Sequence, residues 1–230
     1  MALITNFFSI SRTLMITALA AVVVFGATSS FASGNSEAEA RKAKTFEAEQ
    51  ILANLGYWIT KVDGASDDST RQAIIAFQKV EGLKRTGMLN DQVLDALRNA
   101  SRPTAKYDGA AHVEIDITRQ VIFLVDDNGQ VTRVLSTSTG SGEKYVENGK
   151  TERAYTPRGH FVISRQIHGV RKAPLGTIYN PSYFNGGIAI HGSNSVPATA
   201  ASHGCARIPR FADKDFVDMV YVGEPVYVYD

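Results

Sequence analysis

The chain has 230 residues, with 24 Lys plus Arg against 23 Asp plus Glu for a net charge of +1, and 44% of its residues are hydrophobic. This composition excludes a disordered or collagen-like chain, and the near-zero charge excludes nucleic-acid binding driven by global basicity. A single cysteine, Cys205, excludes an internal disulfide framework and any zinc site with more than one thiolate.

Arg12 precedes an apolar stretch over residues 14–27, followed by Ser29-Ser30-Phe31-Ala32 and a polar segment. The pattern predicts a secretory signal peptide over residues 1–32, with Ser30 and Ala32 at the positions read by signal peptidase; an uncleaved anchor is the alternative. The chain is thus expected to be exported, with no stable membrane span after cleavage. In an oxidising compartment a lone thiol needs a partner or a task.

Residues 33–44 have little to bury and read as a linker running into a helix. Ala48, Ile51, Leu52 and Leu55 recur at helical spacing up to Gly56. Ala73, Ile74, Phe77 and Val80 form a second stripe, capped by Asp68 or Ser69. Val93, Leu94 and Leu97 form a third, with Asn90 as N-cap. Three short helices over residues 45–99 make a bundle whose size is marginal for independent stability. A second linker follows at residues 100–109, opened by Ser101-Arg102-Pro103-Thr104.

From residue 110 the period changes to two. Val113, Ile115 and Ile117 alternate with polar residues. The run over residues 121–125 leads into the hairpin signal Asp127-Asn128-Gly129. Further strands are expected at 131–135, 161–163, 188–190 and 226–229. A helix is expected at 213–220, burying Phe216, Met219 and Val220. This half is predicted to be mainly β, a sandwich or barrel with one packed helix.

The chemistry concentrates at Ser202-His203-Gly204-Cys205. A thiol with a pKa of about 8.5 needs a base or cation to react at neutral pH. No histidine follows Cys205, so an imidazole base lies upstream. His191 ends the apolar run Ile188-Ala189-Ile190 and is followed by Gly192, which favours it as the base. His203 is the rival, although residues two apart in an extended segment meet awkwardly for proton transfer. No HExxH spacing is present for a zinc peptidase, and no metal or cofactor is expected. Ser141-Gly142-Glu143-Lys144 fits the S-x-x-K of penicillin-binding serine enzymes, but no K-T-G follows.

Two resemblances emerge from these motifs. Ala53-Asn54-Leu55-Gly56-Tyr57-Trp58, Val62-Asp63-Gly64, Ser69-Thr70, Ala76-Phe77-Gln78, Gly82-Leu83 and Thr86-Gly87 resemble the small three-helix peptidoglycan-binding domain of cell-wall hydrolases. That implies a module holding an enzyme on the wall; Tyr57 and Trp58 are either sugar-stacking or core aromatics. Ala65-Ser66-Asp67 departs from that family's Phe-Gly after the Asp-Gly turn.

His191-Gly192, fourteen positions before Cys205 in Ser202-His203-Gly204-Cys205-Ala206-Arg207, resembles the L,D-transpeptidase catalytic signature. Ser138-Thr139-Gly140, Thr156-Pro157-Arg158-Gly159-His160-Phe161, Phe184-Asn185-Gly186-Gly187 and Gly223-Glu224-Pro225-Val226 extend the likeness over residues 110–230.

The resemblance implies a bacterial cell-wall or periplasmic enzyme acting on peptidoglycan stem peptides. Cys205 would be the nucleophile, His191 the base, the Gly192 carbonyl its orienting group, and the amides near Gly204 and Cys205 the oxyanion donors. Ser202 and His203 either take part or only shape the loop. Arg207 either grips a substrate carboxylate or pairs with an acid such as Asp213. Residues 166–183 look like a lid over the donor site, with Tyr183 a candidate substrate-binding residue beside Arg207. The implied reaction releases D-Ala from a stem tetrapeptide and transfers the acyl group to a side-chain amine of a second stem, giving a 3→3 crosslink. The same site taking water would be an L,D-carboxypeptidase, and a dead site would leave a wall-binding protein.

Overall fold

A computed structural model describes residues 27–147 and 149–230, with side chains from Asn35 onward. The apolar stretch read as a signal peptide lies almost wholly outside these residues. The first helix, α1 (Ala27–Asn54), runs through residues 33–44, so the segment read as a linker is helical. Residues 40–230 form one compact unit.

The next two helices follow their stripes. In α2 (Asp68–Val80) the cap is Asp67, one residue before Asp68 and two before Ser69, the expected candidates. Its backbone is extended, and its carboxylate accepts from the Thr70 amide at 2.8 Å. In α3 (Asp91–Asn99) Asn90 caps as expected, accepting from the Val93 amide at 2.8 Å. Helix α1 stops before Gly56, whose φ of +91° suits the absence of a Cβ.

The β half contains two open sheets. The first has the order β3 (Val131–Ser136), β2 (Val121–Val125), β1 (His112–Asp116), β12 (Pro225–Tyr229) and β6 (Gly159–Val162). The second runs β11 (Ala206–Pro209), β10 (Ile188–Ser193), β9 (Gly176–Asn185) and β7 (Arg165–Gln166), with β8 (Val170–Ala173) also paired to β9. A separate hairpin joins β4 (Lys144–Glu147) to β5 (Lys150–Arg153). Because neither sheet closes, the architecture is a sandwich rather than a barrel.

Between the sheets lies a core that includes Ile115, Ile122, Leu135, Val226, Ile190 and Ile208, sealed by Phe216 of α4 (Asp213–Met219). On α4, Val217 is buried where Met219 was expected; Met219 is 49% exposed. Phe216 and Val220 are buried as anticipated.

The five residues of β2, Val-Ile-Phe-Leu-Val, are all buried. Ile122 and Leu124 face the inter-sheet core, whereas Val121, Phe123 and Val125 join Val131 and Val134 in a second core with Leu52, Phe77, Val93 and Leu97 of the helices. A strand buried on both faces reads as an uninterrupted apolar run, which explains the sequence here. The helical module and the β half therefore share one core, which relieves the marginal size of a bundle on its own. Residues 100–109 carry no regular element yet are pinned: Arg102 Nη1 donates to the Val131 carbonyl at 2.8 Å, and the Lys106 amide donates to Glu114 at 2.9 Å.

Tyr57 and Trp58 are core aromatics, with exposures of 2% and 7%. Trp58 N donates to Val134 O at 3.0 Å and Val134 N to Gly56 O at 2.8 Å, so this segment extends the β3 edge. The ring of Tyr57 packs edge-on against Phe77 with centroids 5.7 Å apart. Stacking on sugars by these rings is ruled out by their burial.

Candidate active site

Strand register assembles the site. In the parallel pair β10 and β11, His191 lies opposite Arg207 and Ile190 opposite Ala206. Side chains alternate along each strand, and register partners share a face. Ile190, Ala206 and Ile208 point into the inter-sheet core. Ala189, His191, Cys205 and Arg207 consequently face the other way, with Cys205 just before β11. Tyr183 of β9 is opposite Ala189, and Arg165 of β7 is opposite Tyr183, which brings both to the same face. His191, Cys205, Arg207, Tyr183 and Arg165 line one cleft of about 500 Å³. The β4–β5 hairpin contributes Tyr145 and the β8–β9 hairpin contributes Arg171 and Leu175.

His191 is buried, and its Nδ1 sits 2.8 Å from the Gly192 carbonyl oxygen. A carbonyl only accepts, so Nδ1 carries the proton and Nε2 remains as the basic nitrogen. Burial pushes the imidazole pKa below its ordinary 6.5, and nearby Arg207 pushes the same way, against the Gly192 hydrogen bond and Asp213. The imidazole is therefore neutral at physiological pH.

Cys205 is half-buried, and its thiol donates weakly to the Gly187 carbonyl at 3.9 Å. Burial raises its pKa above the ordinary 9.0, against the Ala189 amide and Arg207, which favour the thiolate. A lowered imidazole and a raised thiol leave the resting pair uncharged.

The loop before Cys205 is tightly bonded. Ser202 Oγ donates to the Cys205 carbonyl at 2.6 Å and accepts from the Gly204 amide at 3.0 Å. The Gly204 amide, expected as an oxyanion donor, is thereby occupied. Gly204 has a φ of +140°, and a Cβ there would lie 2.9 Å from the Tyr155 carbonyl oxygen, so only glycine fits. Thr156 Oγ1 donates to the Gly204 carbonyl at 2.6 Å and accepts from the Gly140 amide at 2.9 Å. His203 is exposed at the cleft, its ring edge-on to Tyr145 with centroids 4.8 Å apart.

Gly192 is required for a different reason. A Cβ there would collide with the Asp213 carboxylate, which is buried behind β10 and accepts from Asn180 Nδ2 at 3.0 Å and from Arg210 Nη1. Arg210, not Arg207, is thus the partner of Asp213. Its guanidinium also covers the Tyr179 ring at 3.8 Å.

Arg207, Arg165 and Arg171 line the cleft without an ion-pair partner among the described residues. Arg165 lies over the Tyr183 ring at 4.2 Å. Sequence reasoning missed Arg165, Arg171 and Tyr145. Asn148-Gly149 is a hairpin signal that would have found Tyr145, since β4 and β5 flank it. Nothing local marks the two arginines. No group of three or more His, Cys, Asp or Glu fit to hold a metal occurs among the described residues, and no described helix is long and apolar enough to cross a membrane.

Residues 41–97 match a peptidoglycan binding domain family, and residues 110–228 match the L,D-transpeptidase catalytic domain family. An L,D-transpeptidase from Xylanimonas cellulosilytica is 40% identical over 80% of this chain and 92% of its own, with a TM-score of 0.77. L,D-transpeptidases from Stackebrandtia nassauensis (21% identity, 81% of this chain and 90% of that one, TM-score 0.48) and Mycobacterium smegmatis (23%, 52% and 58%, 0.42) are more distant. No curated protein sequence matches. With its catalytic-domain match spanning over half its length, this chain belongs to the L,D-transpeptidase family.

Proposed function

We propose that the chain is an exported cysteine L,D-transpeptidase of the bacterial cell wall or periplasm, acting through an acyl-enzyme on Cys205. The observation that carries the reading is the shared face of His191 and Cys205, with Nδ1 of the imidazole committed to Gly192 O at 2.8 Å. Nε2 takes the Sγ proton as sulfur attacks the carbonyl carbon of the amide between the third-position diamino acid and terminal D-Ala. The oxyanion forms beside the Cys205 amide, since that of Gly204 is held by Ser202. Collapse breaks the C–N bond, Nε2–H protonates the departing amine, and a thioester remains. A side-chain amine from a second stem then attacks, loses its proton to Nε2, and restores the thiol with a 3→3 crosslink.

The unpaired cations suit an anionic stem peptide. Arg207 on β11 and Arg165 on β7 line the cleft of Cys205, and Tyr183 on β9 between those strands supplies an apolar wall. Arg207 also holds Cys205 toward the thiolate and His191 toward the neutral base. Ser202 and Gly204 shape the loop, and His203 with Tyr145 forms its outer rim. In the helical module, wall binding falls to a groove of about 800 Å³ that includes Lys44, Arg71, Met88 and Asn90.

The test is incubation of wild type and Cys205→Ala with disaccharide-tetrapeptide, following products and intact protein by mass spectrometry. Cys205-dependent loss of D-Ala, a protein adduct and a crosslinked dimer are expected. Loss with tripeptide alone would redirect the reading to a carboxypeptidase, and identical behaviour of the two proteins would leave only wall binding.

A further inference from the structure

Lys79 belongs to α2 of the helical module, yet its ammonium reaches into the β half. The residue is 1% exposed. Nζ donates to the Gln120 carbonyl at 2.9 Å, Ser136 Oγ at 2.8 Å and the Thr137 carbonyl at 2.8 Å. Three N–H donors thus meet three acceptors, none of them a carboxylate. Burial pulls the pKa down to about 7, and Arg85 adds to the effect. A core that needed only packing would be served as well by Met or Leu, because an ammonium without a counter-charge is costly to bury.

Two of the three acceptors, Gln120 and Thr137, lead toward Cys205. The Gln120 side chain donates from Nε2 to Thr139 Oγ1 at 2.6 Å and accepts the Thr139 amide at 2.8 Å. The Thr139 carbonyl accepts the amides of Ala201 at 3.0 Å and Ser202 at 2.9 Å. Ser202 in turn donates to the Cys205 carbonyl. By a second route, Thr137 Oγ1 donates to the Arg207 carbonyl at 2.8 Å. The helical module also grips the connection between His191 and Cys205 directly. Gln72 Nε2 donates to the Val196 carbonyl and Arg85 Nη1 to the Ala198 carbonyl, each at 3.2 Å.

The geometry points to Lys79 as a positioning residue for the nucleophile: through Gln120 and Thr139 it fixes the segment carrying Ser202 and Cys205, so that the helical module is part of the catalytic scaffold. Gln72 and Arg85 tie the same segment from its other end. The inference rests on Cys205 as the nucleophile.

The experiment compares the full chain as wild type, Lys79→Met, Arg85→Ala and Phe77→Leu. Phe77 shares α2 and its core but makes none of these hydrogen bonds, so Phe77→Leu controls for lost stability. Amide hydrogen exchange over residues 199–206 and turnover of disaccharide-tetrapeptide are measured well below each unfolding temperature. Lys79→Met is expected to speed exchange at Ala201 and Ser202 and to lower kcat about tenfold with KM nearly unchanged, as befits a misplaced reacting group. Arg85→Ala, at a partly exposed site, is expected to do the same about two- to fivefold. Phe77→Leu should leave both readouts at wild-type levels. If Lys79→Met matches Phe77→Leu, or both match wild type, the positioning role is overturned. Should Cys205 not be the nucleophile, Cys205→Ala would keep its turnover, while the exchange difference would still report the coupling.

Discussion

Replacing Thr156 by Val removes one hydroxyl and little else, and the structure sets what that costs. Oγ1 bridges the Gly204 carbonyl and the Gly140 amide, and Thr156 is buried. Valine fills the same space and leaves both backbone groups without a partner. An unsatisfied buried polar group costs about 1–3 kcal/mol, so the pair sums to about 2–4 kcal/mol after allowing for the half-buried position of Gly140. For a folded unit of this size, 1 kcal/mol corresponds to about 2–4 °C in Tm, giving an expected fall of about 5–15 °C. Thr156→Ser keeps the hydroxyl and should lose only a methyl contact, costing about 1 kcal/mol. Because Gly204 holds a backbone conformation closed to other residues one position before Cys205, the Val variant should also lose more than about tenfold in kcat at temperatures where it is fully folded. Thermal denaturation and single-turnover acylation measure the two effects. Equal losses in the Val and Ser variants, or a Val variant within about 1 °C of wild type, would refute the bridging role.

Alkylation of Cys205 by iodoacetamide should show no plateau at neutral pH. The thiol pKa is raised above 9.0 by burial, so the thiolate fraction and the rate keep climbing past pH 9. In Arg207→Met the inflection should move to still higher pH, because a cation favouring the thiolate is gone; a plateau reached near pH 6 in wild type would instead reveal a thiolate–imidazolium pair. Gly192→Ala should abolish turnover and cost several kcal/mol, since the new methyl meets the buried Asp213 carboxylate in a packed interior; a Gly192→Ala protein with wild-type Tm in calorimetry would show that β10 can yield there.

Periodic features were legible in the sequence. The stripes of α2 and α3 and the strand runs at Val113, Val131, Ile188 and Val226 appear where their patterns indicate, because one buried face imposes its period. The cap of α2 is Asp67 rather than Asp68 or Ser69 because the sequence offers Asp67, Asp68 and Ser69 in a row, and only the extended backbone at Asp67 chooses among them. On α4, Val217 and Met219 exchange roles because a helix of seven residues is too short for its stripe to fix its rotation.

At the site, the sequence singled out His191 and Cys205 as candidates and Gly192 as the neighbour of the imidazole, and the structure brings His191 and Cys205 to one cleft. Arg165 and Arg171 were not, since their places depend on pairing between β7, β8 and β9, a long-range outcome with no local mark. The alternatives for Arg207 could not be resolved until Arg210 was seen to occupy Asp213. Likewise the run at residues 121–125 marked a strand before a hairpin but not that both its faces are buried, since the second face is covered by the helical module, a long-range outcome.

Under the proposed wall binding, that shared core would make the module a ruler rather than a leash. A binding domain on a flexible tether raises the local concentration of substrate over a whole sphere of reach. Here Val121, Phe123 and Val134 weld the helices to the sheet, so the offset between the groove near Arg71 and the thiol of Cys205 is constant. An enzyme anchored in this way would act on the stem standing at that offset from its foothold and pass over stems elsewhere. The spacing of its products along the wall would then be set by protein geometry instead of diffusion. Lengthening residues 100–109 would not loosen the arrangement, because the weld lies in the core and not in the connecting strand of chain.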